Sequence, residues 1–235
     1  MKKTDFFILL TTIVFFLPFF VFPSVYQYYL KFNQNHCFIA AFLKFGILAT
    51  YGEILGLRIK TGNYTVSHFG ILPKACFWGL FGIWIAVMMS IYRDGVPFFF
   101  EKMGFDQMQG VMKNSFSGYK LLGAFGISFF MNTTFAPVFM TLHKITDIHI
   151  EQHRGSLKAF LHPIRIGSII RCLNWDVQWN FVFKKTIPLF WIPAHTITFL
   201  LPEQFQVLFA ALLSIALGLI LSIDSLKFAA KMQKN

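Results

Sequence analysis

The sequence predicts an all-α, polytopic membrane protein: a transmembrane helix bundle of about four to six spans plus an interfacial amphipathic helix. Three observations carry that prediction. Hydrophobic residues make up 56% of the 235-residue chain, charged residues only 13%, and phenylalanine occurs 32 times. Soluble domains are about a quarter charged, so a chain this poor in charge could not cover a water-facing surface. The apolar runs are long and lack period-2 alternation, which selects helices over barrel strands.

Six runs qualify as spans: 6–22, 37–59, 72–92, 121–142, 186–201 and 205–223. The first follows Lys2 and Lys3 as in a signal peptide, but Pro23, Ser24, Val25 and tyrosines stand where a small-x-small cleavage site would be. A retained anchor is expected. The second and third approach the roughly 20 residues that the hydrocarbon core requires. The fourth carries Asn132, Thr133 and Thr134 just before Pro137. The fifth is short and contains Pro188 and Pro193, so it is expected kinked, tilted or re-entrant; Pro202 and Glu203 leave a tight connection to the sixth. The organisation expected is an anchor and loop over 1–36, a bundle over 37–223 and a basic tail over 224–235.

Two connections are long. Residues 93–120 mix Phe98, Phe99 and Phe100 with glycines and charges and read as an interfacial helix plus loop. Residues 143–185 are basic, with Trp175 and Trp179 on one helical face, which fits a helix in the headgroup layer. The net charge of +11 is spread among short loops. It therefore points to topology and away from nucleic-acid binding. Arg58, Lys60 and Lys74 join the second and third spans. Lys144, Arg154, Lys158, Arg165, Arg171, Lys184 and Lys185 follow the fourth, and Lys227, Lys231 and Lys234 end the chain. All of this excess falls on one side if the number of crossings is even, which puts both termini on the cytoplasmic side. The Lys-Lys start suits a bacterial cytoplasmic membrane better than an organellar one. Cys37, Cys76 and Cys172 have no C-x-x-C spacing and are expected as small buried hydrophobes.

Glu53 is the leading functional candidate. A carboxylate within a span is costly unless paired or hydrated, so it should face the bundle interior or a water-filled path. Lys44 lies on the opposite face of the same helix at 100° per residue and is not its expected partner. The plainer alternative is that Glu53 cross-links helices or lies near the interface with Arg58. Gly52-x-x-x-Gly56 is a small-x-x-x-small packing pattern. Asn132 and Thr134 beside Pro137, and His195 and Thr198 beside Pro193, could line a hydrophilic path or satisfy carbonyls freed at the proline breaks; Pro202 ends that segment. His149 and His153, with Glu151 between them and His143 and His162 nearby, invite a metal reading. Ile150 stands where a zincin would have its glutamate, and desaturases need several such boxes. Titratable side chains on a basic interfacial segment are the expected role, with no metal, no cofactor and no enzymatic activity.

The polar spans also resemble a known family. Trp191, Pro193, His195, Thr198, Phe199 and Pro202, ending at Leu221-Ser222, resemble the C-terminal signature of the peroxisomal and mitochondrial inner-membrane protein family. Asn132-Thr133-Thr134-Phe135-Ala136-Pro137 resembles its Asp-Gln motif followed by Phe-Ala-Pro. Gly52-Glu53 resembles its Gly-Asp, and Gly155-Ser156 its Gly-Ser. The order is right. Ile192 splits the Trp-Pro pair, His195 and Thr198 replace Gln and Asn, and Met131-Asn132 replaces Asp-Gln. The resemblance implies a distant member with a pore-forming or solute-permeable role.

The function expected is a weakly selective channel for small solutes or metabolites, with Glu53 lining the path and a basic vestibule favouring anions. The alternative is a non-conducting membrane scaffold or lipid-interacting protein. The partners expected are the lipid bilayer and small solutes, and the composition is compatible with a homo-oligomer.

Overall fold

The chain folds as helices throughout; no strand occurs among the described residues. The structure, a computed structural model, describes Lys3–Met232. The side chains of residue 217 and of 219 onward, and with them the expected tail 224–235, lie outside the described residues. The chain divides into two compact units, Met1–Ala40 and Ala41–Asn235.

The first unit holds α1 (Lys3–Val21) and α2 (Pro23–Asn35) and ends in the first turn of α3. Pro23 opens α2 at a position whose N–H has no helical partner to lose. Phe19 meets Tyr29 edge to face at 5.7 Å, which joins the two helices. No residue of α1 is buried.

The second unit is built on a helical hairpin. In α3 (Cys37–Thr61), Ala41, Phe45, Leu48, Ala49, Gly52 and Gly56 recur at helical spacing and are buried, while Leu43 and Ile47 point outward. In α4 (Ile71–Lys102), Trp78, Gly82, Ile85, Met89 and Val96 do the same. The two run antiparallel with their backbones close: a Cβ on Gly46 would stand 3.0 Å from the Ala75 carbonyl oxygen. Small residues at such crossings substitute for a hydrophobic driving force that lipid does not supply.

The connection back to α4 turns at Gly70 (φ +69), which faces Gly155 (φ +68) across 2.8 Å from an added Cβ. Only glycine fits either position, because both are left-handed and each occupies the other's side-chain space. This paired contact fixes the start of α4 beside the end of α7.

α6 (Gly118–Thr134) and α7 (Ala136–Gln152) run antiparallel along α4. Phe100 packs against Gly126, Trp84 meets Phe135 at 4.8 Å, and Trp78 meets His143 at 4.4 Å. The pair is bent by 47° at Phe135, with Pro137 in the first turn of α7. Proline costs little there, since the first amides of a helix have no carbonyl partner. Short α5 (Met108–Lys113) covers α6, its Met108 and Met112 filling the space beside Gly123.

After α7 come a 3₁₀ turn (Leu157–Leu161), α8 (Ile166–Cys172), the single turn α9 (Trp175–Val177) and a π-helix over Gln178–Trp191. Then α10 (Ile192–Leu200) crosses α6, and α11 (Glu203–Met232) closes the unit. The Arg93 guanidinium pairs with Glu203 at 2.8 Å and donates to the Ser90 hydroxyl at 3.1 Å, pinning α11 to α4.

Among the described residues three helices, α1, α3 and α4, are long and apolar enough to cross a membrane, and α6–α7 makes a fourth if the bent pair is one span. Outward Leu80, Ile91, Phe125 and Phe129 would be an aggregation hazard in water and suit contact with lipid. The chain is a helical membrane protein.

Several expected boundaries move. The third span does not end at 92: α4 continues through Arg93 to Lys102, taking in Pro97 and the three phenylalanines expected in a separate interfacial helix. Phe100 has α6 to pack against there, and tertiary packing outweighs one amide lost to proline. The fifth span is a π-helix followed by nine residues of α-helix. The segment 143–185 is the end of α7 followed by four short pieces. Cys37 and Cys172 are exposed and Cys76 is half-buried, against the expectation of burial. On a lipid-facing surface an apolar thiol has no need of a core.

Candidate functional site

Four ionisable side chains from three helices meet inside the second unit. Glu53 lies on α3, roughly two turns before its end; Lys74 is in the first turn of α4; His143 and Asp147 share one face of α7. The antiparallel packing of α4 on both α3 and α7, set at the Gly70–Gly155 contact, brings them together at one end of the bundle.

Lys74 is the hub. Its ammonium lies 2.6 Å from Glu53 Oε2 and also bonds Asp147 Oδ1. The other carboxylate oxygen of Glu53 accepts from the Trp78 indole N–H at 2.6 Å and from His143 Nε2 at 3.1 Å. His143 Nδ1 stands 4.0 Å from Asp147 Oδ2. The side chains are between 10% and 23% exposed, so little water competes for these bonds. Trp78, Phe81 and Phe139 surround the imidazole, and Phe69 presents its ring to the ammonium at 5.2 Å. Low local polarity strengthens each contact and raises the cost of leaving any partner out.

Glu53, His143 and Asp147 offer ligand atoms that all lie within 4.8 Å of one another. That spacing suits a metal, but the Lys74 ammonium already bridges the two carboxylates. It supplies, on a tether, the positive charge an ion would bring. Two carboxylates against one ammonium leave a single negative charge beside the imidazole.

The other residues singled out in the sequence lie elsewhere. Asn132 is buried on α6, donating to the Ser128 carbonyl at 2.8 Å and to its hydroxyl at 3.2 Å; Ser128 donates to the Ile192 carbonyl of α10 at 2.7 Å. Thr198 is fully buried and bonds the Ala194 carbonyl at 3.0 Å. His195 is buried and stacks on Trp191 at 5.3 Å, its Nδ1 without a hydrogen-bond partner among the described residues. Thr134 is exposed, donating to the Phe130 carbonyl at 2.6 Å with Tyr92 Oη at 2.5 Å. Asn132, His195 and Thr198 thus belong to the α6–α10 pair, whereas Glu53 sits with α4 and α7. Pro193 opens α10, and Pro202 occupies its junction with α11. Gly52 and Gly56 are buried on α3, and a Cβ on Gly52 would lie 2.8 Å from the Ile215 Cα of α11.

Lys74, Trp78 and Asp147 are not among the residues the sequence singles out. Lys74 reads there as a charge joining two spans and Asp147 lies past the end of the fourth apolar run, although the four-residue spacing of His143 and Asp147 marks a shared helical face. Comparison of the chain with protein-family models, with curated proteins and with solved structures finds no match.

Proposed function

We propose that this chain makes the membrane permeable to small solutes, with the Glu53–Lys74–His143–Asp147 cluster as the charged neck of the path. One observation carries the reading: four ionisable side chains from three helices are held in the interior of a bundle whose outer faces are apolar. Ionisable groups at such positions are costly, and they mark pathways for ions and polar solutes. The cluster lies at the same end of the bundle as the basic residues that follow α7. On this reading Arg154, Lys158, Arg165 and Arg171 would act as a basic vestibule that raises the local concentration of anionic metabolites. Counting these charges as cytoplasmic puts both termini on that side and fits a bacterial inner membrane. The resemblance of Gly52-Glu53 and of the α6 and α10 motifs to the peroxisomal and mitochondrial inner-membrane family points to the same role.

Glu53→Gln tests this reading. The substitution keeps shape and removes one negative charge, while Asp147 continues to pair with Lys74. In liposomes with a salt gradient, the reversal potential is expected to move toward that of the anion. An unchanged potential, or no solute release from the wild-type protein, overturns the proposal.

The exposed Trp175 and Trp179, with Lys184 Nζ 5.7 Å from the Trp179 ring centre, favour a second reading: a non-conducting scaffold that binds lipid. Indole rings and lysines together suit the headgroup layer. On this reading a peptide over 142–185 binds vesicles of anionic lipid, and replacing both tryptophans by alanine weakens binding by roughly tenfold or more. Equal binding to neutral vesicles would remove it.

A further inference from the structure

His149, in the last turn of α7, comes together with His153 and His162 of the turn that follows, apart from the Glu53 cluster. His153 caps α7; Arg154 (φ 55) and Gly155 (φ 68) then take left-handed conformations that reverse the chain. Ser156 caps the following 3₁₀ turn, and the reversal lays His162 back on His153. Ring centres are 4.8 Å apart for His153 and His162 and 4.4 Å apart for His149 and His153.

Each imidazole spends one nitrogen on a main-chain carbonyl. His149 Nε2 donates to Ala159, His153 Nδ1 to His149 and His162 Nδ1 to Lys158, each at 2.8 Å. A carbonyl oxygen only accepts, so these nitrogens carry the protons and the tautomers of the neutral rings are fixed. The lone pairs left are Nε2 of His153 and His162 and Nδ1 of His149. Neither outer Nε2 has a hydrogen-bond partner among the described residues. An imidazole anchored through one N–H to a main-chain carbonyl, with its other nitrogen available, is the usual state of a histidine that binds metal. Two imidazoles on one ion, at metal–nitrogen distances near 2.0–2.1 Å, have ring centres about 5 Å apart, and the 4.8 Å between the rings of His153 and His162 allows that arrangement.

We propose that His153 and His162 form a two-histidine binding site for a late first-row divalent ion: zinc, nickel or copper. Neutral imidazole nitrogens select these ions over magnesium and calcium, which require oxygen ligands. His162 is exposed and His153 half-buried, so an ion reaches the outer pair directly from water. Bound there, it ties together the turn that holds Gly155 against Gly70.

The test is titration of the untagged full-length protein in detergent, with zinc by calorimetry and with copper by electron paramagnetic resonance. One ion per chain is expected, with nitrogen hyperfine structure from at least two imidazoles. His162→Ala changes an exposed residue and should leave the fold intact while weakening binding by about tenfold or more, as should His153→Ala. His143→Ala, which alters the Glu53 cluster, should leave the affinity unchanged. Binding that survives the His153/His162 double substitution, or that is lost with His143, overturns the proposal, as does the absence of saturable binding.

Discussion

Lys74→Met is expected to destabilise the protein by about 3–5 kcal/mol, the cost of removing one partner from a buried charge cluster. Methionine keeps the length of the side chain and its contact with Phe69, so the change isolates the charge. Without the ammonium, the Glu53 and Asp147 carboxylates confront each other across the space it filled. Glu53 retains Trp78 and His143, whereas among the described residues Asp147 keeps only a distant imidazole nitrogen at 4.0 Å. Asp147 is therefore the residue left without compensation, and adding Asp147→Asn should recover part of the loss. Unfolding of the detergent-solubilised protein with increasing SDS, followed by circular dichroism, measures both variants. A loss of under about 1 kcal/mol would mean that water solvates the cluster as it does a surface ion pair. Comparing Lys74→Met with Glu53→Gln separates stability from transport, because Glu53→Gln leaves the Lys74–Asp147 pair in place and should cost less.

The second large effect is expected at Gly52. A Cβ there meets the Ile215 Cα at 2.8 Å and the Ser214 carbonyl oxygen at 3.1 Å, and one on Gly218 would meet the Gly52 carbonyl oxygen at 2.9 Å. The neighbours are backbone, so no rotamer change relieves the clash, and α11 must move away from α3. Overpacking of this kind costs about 1–3 kcal/mol, and Gly52→Val is expected at the upper end. Because Glu53 follows Gly52 on the same helix, the displacement should also alter conductance in liposomes. Gly110→Ala is the control: nothing lies within 4 Å of its added methyl, and alanine favours the helix, so stability should hold or rise slightly. Equal melting temperatures for Gly52→Val and Gly110→Ala would show that the α3–α11 crossing has slack.

Glu53 and Gly52 could be picked from the sequence because each violates a one-dimensional rule. A carboxylate interrupts an apolar run, and a glycine sits where a helix would otherwise carry a side chain. Their partners break no such rule. Lys74 lies one turn into α4, two residues inside the start of the third apolar run, where a charge is ordinary; Asp147 lies in α7, past the end of the apolar window. Each looks like an ordinary boundary charge until the helices are packed. The same holds for His162, whose return onto His153 depends on two consecutive left-handed residues at Arg154 and Gly155.

What the sequence by itself determined is the solvent and the type of element. Apolar run length, scarcity of charge and the absence of alternation report on each segment alone, and in lipid they leave only the helix. The buried stripes of α3 and α4 could be read the same way, since a helical face is a property of one segment. The tertiary structure decided where helices break and which side chains meet. α4 runs on past Arg93 because α6 is there to receive Phe100; the fourth run bends at Phe135, and the fifth becomes a π-helix. Glu53 finds Lys74 and Asp147 because two left-handed glycines bring the ends of α4 and α7 together. Such contacts join residues far apart in the chain, and their free energy exists only once the helices have packed.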